Sequence, residues 1–257
     1  MCWIRYIFAG VTAMFLLSGC IGPDRSDALV VIDAGHGGHD CGAQCGGKQE
    51  KELVLQITKK LAREFRRKGY RVYLTRERDT FLKLGERTRI ADKMDAKVFI
   101  SIHANAIADK SRFEAVEGVE TYFLQKTRDA RSQNIAAREN AAVLQGADQL
   151  SRSVIIDAVL NGPKIIESNK LAIDVQHGMM KQLHYRYKDV FNGGTRPAPF
   201  YVLVGASRPS ILVEVGYITN RKERERLFTA EYQERIARGI VAGVGRYLDN
   251  RKAETGV

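Results

Sequence analysis

The sequence predicts an α/β protein: a single three-layer domain in which a mostly parallel, twisted sheet of about six strands is covered by helices on both faces. Three observations predict it. Short apolar runs rich in β-branched residues, VVID at 30–33, KVFISI at 97–102 and SILVEVGYI at 210–218, read as buried strands. Between them lie amphipathic stretches at helical spacing, of which Leu53, Val54, Ile57, Leu61 and Phe65 form the clearest stripe. The connections are short, as in the Lys68-Gly69 helix stop before YRVYLT at 70–75, which closes a β-α-β unit. A chain of 257 residues with 44% hydrophobic and 28% charged side chains has an ordinary globular composition and enough volume for one full core.

The first strand runs into Gly35, Gly37 and Gly38, which bracket His36. So much glycine beside an imidazole means a sharp turn or a close approach. Alone, the turn either exposes a solvated histidine or presents a ligand or catalyst at a strand end. Extending the first helix's apolar stripe back one turn reaches Glu50, so Glu50 points inward while Glu52 points to water. An inward acid in a first turn either satisfies backbone N–H groups or joins His36 as a metal ligand. Leu84 to Asp95 reads as a second helix. The third strand, 97–102, delivers His103 at its end as the first delivers His36, with Asn105 two residues on as a candidate substrate contact. In an open parallel sheet these ends meet along one edge, where ligands bind.

GVETYFL at 118–124 reads as a fourth strand, Ala130 to Leu160 as a long helical stretch and Ile165 to Tyr187 as a further amphipathic helix. His177 and His184 belong to no glycine turn or strand end and read as core-edge or solvated; His39 is a weak substrate contact. YVLV at 201–204 and 210–218 read as the last strands. Glu214, between Val213 and Val215, is a carboxylate in an otherwise apolar strand, which is costly unless an ion pair, hydrogen bonds or a metal holds it. Beside two histidines, a desolvated acid of raised pKa next to a metal is the more economical account. Glu231 to Leu248 closes the domain, and Asp249 to Val257 reads as a frayed tail.

The net charge is +11, and Arg5 is the only charged side chain among the first twenty residues. That excess suits an anionic partner such as a phospholipid surface or an acidic wall polymer. The cations are scattered, and no aromatic-interleaved basic stripe or nucleic-acid motif occurs, so nucleic acid is not an expected partner. The apolar run Tyr6 to Leu17 after Arg5 is too short to span a bilayer and fits a signal peptide core. Leu17-Ser18-Gly19-Cys20 resembles the lipobox of a bacterial lipoprotein precursor, which implies a signal peptide over 1–19, lipid on Cys20 and a tether over 20–28 of at most about 30 Å. Ile21, where aspartate would signal inner-membrane retention, favours the outer membrane by the same resemblance. Cys41 and Cys45 lack two further soft ligands for a zinc pair and read as a local bridge without chemistry.

The ordered segments DAGHGGHDCGA, QEKELVL, LTRERDTFLKLGERTRIAD, VFISIHANA, GVETYFL and SILVEVGYITN resemble the zinc-dependent N-acetylmuramoyl-L-alanine amidases of the bacterial cell-separation type over residues 29–248. The resemblance implies one Zn²⁺ held by His36, Glu50 and His103, Glu214 as the catalytic acid, and peptidoglycan as substrate, cut between N-acetylmuramic acid and L-alanine. It also implies that the segment at about 130–160 holds a helix that covers the zinc until an activator protein displaces it, with Glu139 either a plug ligand or a solvated helix glutamate. Cys41 and Cys45 depart from the family pattern. Two other classes remain: a wall-binding lipoprotein without activity, and a zinc peptidase acting within stem peptides.

Overall fold

The computed structural model describes residues 25–144 and 163–255. The expectations for the signal peptide, for Cys20 and for residues 145–160 of the helical stretch lie outside the described residues. The strands are β1 (Leu29–Ala34), β4 (Arg71–Leu74), β5 (Val98–Asn105), β6 (Val119–Leu124), β7 (Asn192–Ala198) and β8 (Ser210–Tyr217), with a small hairpin of β2 (Gln44–Cys45) and β3 (Lys48–Gln49). The helices are α1 (Glu50–Arg67), α2 (Leu84–Lys93), α3 (Ala130–Leu144), α4 (Pro163–His184), α5 (Tyr201–Val204), α6 (Arg221–Leu227) and α7 (Ala230–Thr255).

The six long strands form one sheet in the order β4-β1-β5-β8-β6-β7. The first four run parallel, β6 is antiparallel to β8, and β7 is parallel to β6. β1, β5, β6 and β8 are buried along their whole length, as a sheet covered on both faces requires. α1 and α4 pack on the sheet and α7 packs against both of them, while α2 and α5 pack together on strands of the same sheet, which gives the third layer.

Four expectations change. YVLV at 201–204 forms the short helix α5, because a run of four apolar residues carries no period that separates helix from strand. The sixth strand is instead NGGTRPA at 192–198. Its two glycines and proline read locally as a turn, and Pro197 is tolerated because β7 pairs only with β6 at the sheet edge. β5 continues through His103 to Asn105, so His103 lies within the strand. The tail does not fray at Asp249: α7 extends to Thr255, held by Asp249 to Arg25, Arg251 to Glu167 and Glu254 to Lys170.

Candidate functional site

β1 ends where the chain must turn across the top of β5. The Gly35 N–H donates to the Ile102 carbonyl, and a Cβ on Gly35 would fall 2.4 Å from the His103 ring. His36 then takes φ +59°, a left-handed conformation rare outside glycine. Two arginines hold this turn: Arg87 from α2 donates to the carbonyls of Ala34 and His36, and Arg76 to those of Ala34 and Gly35. Arg87 is itself fixed by Asp33 at 2.9 Å, whose other hydrogen bonds come from Thr75 and Ser101. Burial pushes the Asp33 carboxyl up, but Arg87 and these donors bring it below its ordinary range.

Glu50 is the first residue of α1 and is fully buried. Its Oε2 accepts from the Ala43 N–H at 2.8 Å and its Oε1 from the Ala104 N–H at 2.8 Å. The left-handed Gly42 lies against both Glu50 and His36, where a Cβ would come within 2.7 Å of each. The loop between the two residues is tied to α1 by Glu50 and Lys51 N–H groups donating to Ala43 and Cys41. Cys41 and Cys45 are both free thiols, so the expected bridge is absent; Cys45 Sγ instead accepts from Arg224.

His36, Glu50 and His103 converge, and Glu139 of α3 completes the group. His36 Nε2 lies 3.1 Å from Glu50 Oε1 and 3.2 Å from Glu139 Oε2; His103 Nδ1 lies 3.2 and 2.9 Å from the same two oxygens. One ligand atom from each of the four falls within 4.8 Å of every other. His36 Nε2, His103 Nδ1 and Glu139 Oε2 are buried without a hydrogen-bond partner among the described residues. Four tetrahedral ligands at about 2.0–2.1 Å from a zinc ion stand about 3.3 Å apart, so the donor set and its spacing fit such an ion. Charge agrees. Burial pulls His36 and His103 down, but Glu50 raises His36 well above its ordinary value and Glu139 raises His103 to about 9. Burial pushes Glu50 up, yet His36 brings it down to about 2. Two carboxylates thus hold two imidazoles protonated, a charge balance that one divalent cation supplies with neutral imidazoles.

Glu214 sits beside His103 in the register of the neighbouring strands β8 and β5. Just beyond, the register shifts at Gly216, whose φ is +141°. Such bulges re-aim side chains next to active sites. Both Glu214 carboxylate oxygens are buried without a hydrogen-bond partner among the described residues, and Arg138 Nη2 stands 3.7 Å from Oε1. Burial and the nearby Glu139 raise the Glu214 carboxyl well above its ordinary range. Asn105 is fully buried, donating to Glu120 and accepting from Arg138, and therefore braces the site from beneath. His39 stacks on Phe81 at 4.2 Å beside the cluster, while His177 is exposed and His184 bonds the Val190 carbonyl, both away from it.

Sequence reasoning missed three residues. Asp40 Oδ2 is 2.9 Å from His36 Nδ1 and orients the ring; its signal was a carboxylate four residues after His36. Arg87 shares one helical stripe with Leu84, Thr88 and Ala91, an inward arginine that the pattern displays. Arg138, which donates to Glu139, Asn105 and the Ala106 carbonyl, carries no local signal.

The family model described as N-acetylmuramoyl-L-alanine amidase matches residues 30–246. N-acetylmuramoyl-L-alanine amidase AmiA of Salmonella typhimurium is 33% identical over 237 residues, 90% of this chain and 80% of that protein. Among solved structures, N-acetylmuramoyl-L-alanine amidase AmiC2 of Nostoc punctiforme superposes with a TM-score of 0.63 at 33% identity, over 88% of this chain and 99% of that one. The CwlD amidase of Clostridioides difficile, in complex with the GerS lipoprotein, gives 0.63 at 25% identity over 87% and 100%.

Proposed function

The chain belongs to the N-acetylmuramoyl-L-alanine amidase family, and on that premise we propose that it hydrolyses peptidoglycan through a zinc ion held by His36, Glu50 and His103, with Glu214 as the proton carrier. The observation that carries the assignment is the convergence of four metal-compatible ligand atoms beside a buried carboxylate that has no hydrogen-bond partner among the described residues. Bound there, the ion supplies Lewis acidity that activates water and polarises the scissile carbonyl.

The remaining work falls to this chain's own groups. Glu214, whose proton affinity burial raises, takes a proton from the attacking water and returns it to the amide nitrogen as the C–N bond breaks. The products are the lactyl carboxylate of N-acetylmuramic acid and the free amine of L-alanine. Asp40 keeps His36 Nε2 turned toward the ion, and the Ala43 and Ala104 N–H groups fix Glu50.

Glu139 would take the fourth ligand position of such an ion, so that α3 would close the site. Arg131 pins the helix to Glu120 at 2.9 Å and to Tyr217, and Asn140 pins it to the Pro199 carbonyl and the Tyr201 N–H. A cavity of about 870 Å³ and one of about 380 Å³, the smaller lined by His36 and Glu139, share Arg138 of α3. An activator protein that draws α3 aside is the partner this arrangement calls for; a lipoprotein accompanies the related CwlD amidase. Export, cleavage before Cys20 and lipid attachment there would hold the enzyme at the outer membrane in cell-wall remodelling or daughter-cell separation.

Digestion of purified peptidoglycan followed by mass spectrometry tests the reading. Intact stem peptides released from glycan are the expected products; trimmed stems would mean a peptidase, and no products after removal of α3 would mean a binding protein.

A further inference from the structure

A cavity of about 740 Å³ lies at the opposite end of the sheet, where the parallel strands begin. Its cations are Arg25 just before β1, Arg67 and Lys68 at the end of α1, and Arg238 and Arg246 of α7. The lining carboxylates are Glu64 and Asp249, engaged by Arg67 at 2.6 Å and Arg25 at 2.7 Å. Ion pairs this exposed are worth about 0–1 kcal/mol, so an incoming phosphate anion, a phosphodiester included, competes for the same guanidinium groups.

A second observation shows that the cavity is built for an acceptor. Tyr70 is 4% exposed, its ring held between the edge of Phe65 and the Arg25 guanidinium, yet its hydroxyl is buried with no hydrogen-bond partner among the described residues. An unpaired buried hydroxyl costs about 1–3 kcal/mol. The hydroxyl lies beside Gly245, where a Cβ would fall 2.6 Å from Arg25 Nη1 and 3.4 Å from Tyr70 Oη; the bare glycine keeps that corner open. An oriented O–H donor among clustered guanidinium groups is a phosphate-binding arrangement.

We propose that this cavity binds the phosphate of an anionic phospholipid headgroup. The choice of a lipid over a free anion rests on the reading of Cys20 as the lipidated residue. Arg25 follows it by five residues, so at most about 17 Å of chain separates the cavity from the membrane surface. From this end β1 climbs six residues, about 20 Å, to the turn that carries His36. Headgroup binding here therefore points the candidate active site away from the bilayer and into the wall.

The test uses residues 21–257, which contain every strand and helix of the described fold, in co-sedimentation with vesicles of phosphatidylcholine alone or mixed with phosphatidylglycerol. Binding is expected to the mixed vesicles only and to weaken with salt. The combined Arg67→Glu, Lys68→Glu and Arg238→Glu variant should bind at least tenfold more weakly. Tyr70→Phe, which keeps the ring packing and relieves the unpaired hydroxyl, should weaken binding several-fold while the melting temperature stays at or above that of wild type. Binding that ignores bilayer charge, or that survives either variant undiminished, overturns the proposal, as does saturation by inorganic phosphate without vesicle binding. None of these readouts involves the metal or amide hydrolysis, so failure here leaves the amidase reading untouched.

Discussion

His36 shows at a single residue how a site is prepared for a ligand. Its left-handed backbone, its Asp40 partner and the two arginines on its carbonyl and its neighbours' carbonyls all hold one ring in one orientation. Asp40→Ala removes the orienting acceptor while leaving the ligands in place. Zinc affinity, measured by competition with a chromogenic chelator, is expected to fall about 10–100-fold; unchanged affinity would make Asp40 a bystander. Glu214 plays a different part, because its oxygens touch none of the four clustered ligand groups within hydrogen-bond range. Glu214→Gln should retain zinc by elemental analysis and lose about 10²–10⁴-fold in turnover of purified peptidoglycan. Near-normal turnover would remove it from the mechanism.

At the scale of elements, α3 and α2 act in opposite senses. α3 delivers Glu139 against both histidines, and in the proposed reading it thereby withholds the site. Glu139→Ala frees the fourth position while Arg131 and Asn140 still dock the helix, and basal hydrolysis should rise roughly tenfold. Unchanged or lower activity would show that α3 does not inhibit through this contact. α2 builds the site: its Arg87 neutralises Asp33 and clamps the His36 turn. Since the Asp33 carboxyl is held below its ordinary range, its contribution to stability is present above pH about 4 and is lost as pH falls through the lowered value. Arg87→Met strands that buried carboxylate and should cost about 3–5 kcal/mol at pH 7 by urea unfolding. The difference from wild type should shrink near pH 3.5, where a protonated Asp33 needs no cation; a loss independent of pH would mean that packing alone is at stake. Elements whose local pattern agrees with their burial were legible in the sequence. β1, β5 and β8 are continuous apolar runs, and Glu50 follows from the α1 stripe. β7 was not legible, because two glycines and a proline form a strand only when β6 is beside them. The contacts of Arg138, and the choice between plug and solvated glutamate at Glu139, depend on where α3 docks, and nothing within α3 encodes that.

Across the whole molecule, the candidate ligands come from four separate places: the turn after β1, the start of α1, the middle of the sheet and α3. No pair of them is local in sequence, so the cluster exists only in the folded chain, and an ion bound there acts as a cross-link absent from the unfolded state. Binding to the folded state alone adds about 4 kcal/mol when free ion exceeds its dissociation constant a thousandfold. For a domain of this size that corresponds to a rise of about 10 °C in melting temperature. Stripping the zinc-loaded protein with a chelator should therefore lower the melting temperature by about that amount in differential scanning calorimetry, and re-addition of zinc should restore it. The same step should speed amide exchange first in α3, which is tied to the rest through Glu139, a few polar contacts and the buried side chains of Ile135 and Ala136, and later in the sheet. Identical melting with and without zinc would mean that the four side chains do not share an ion, and the hydrolase reading would lose its physical basis.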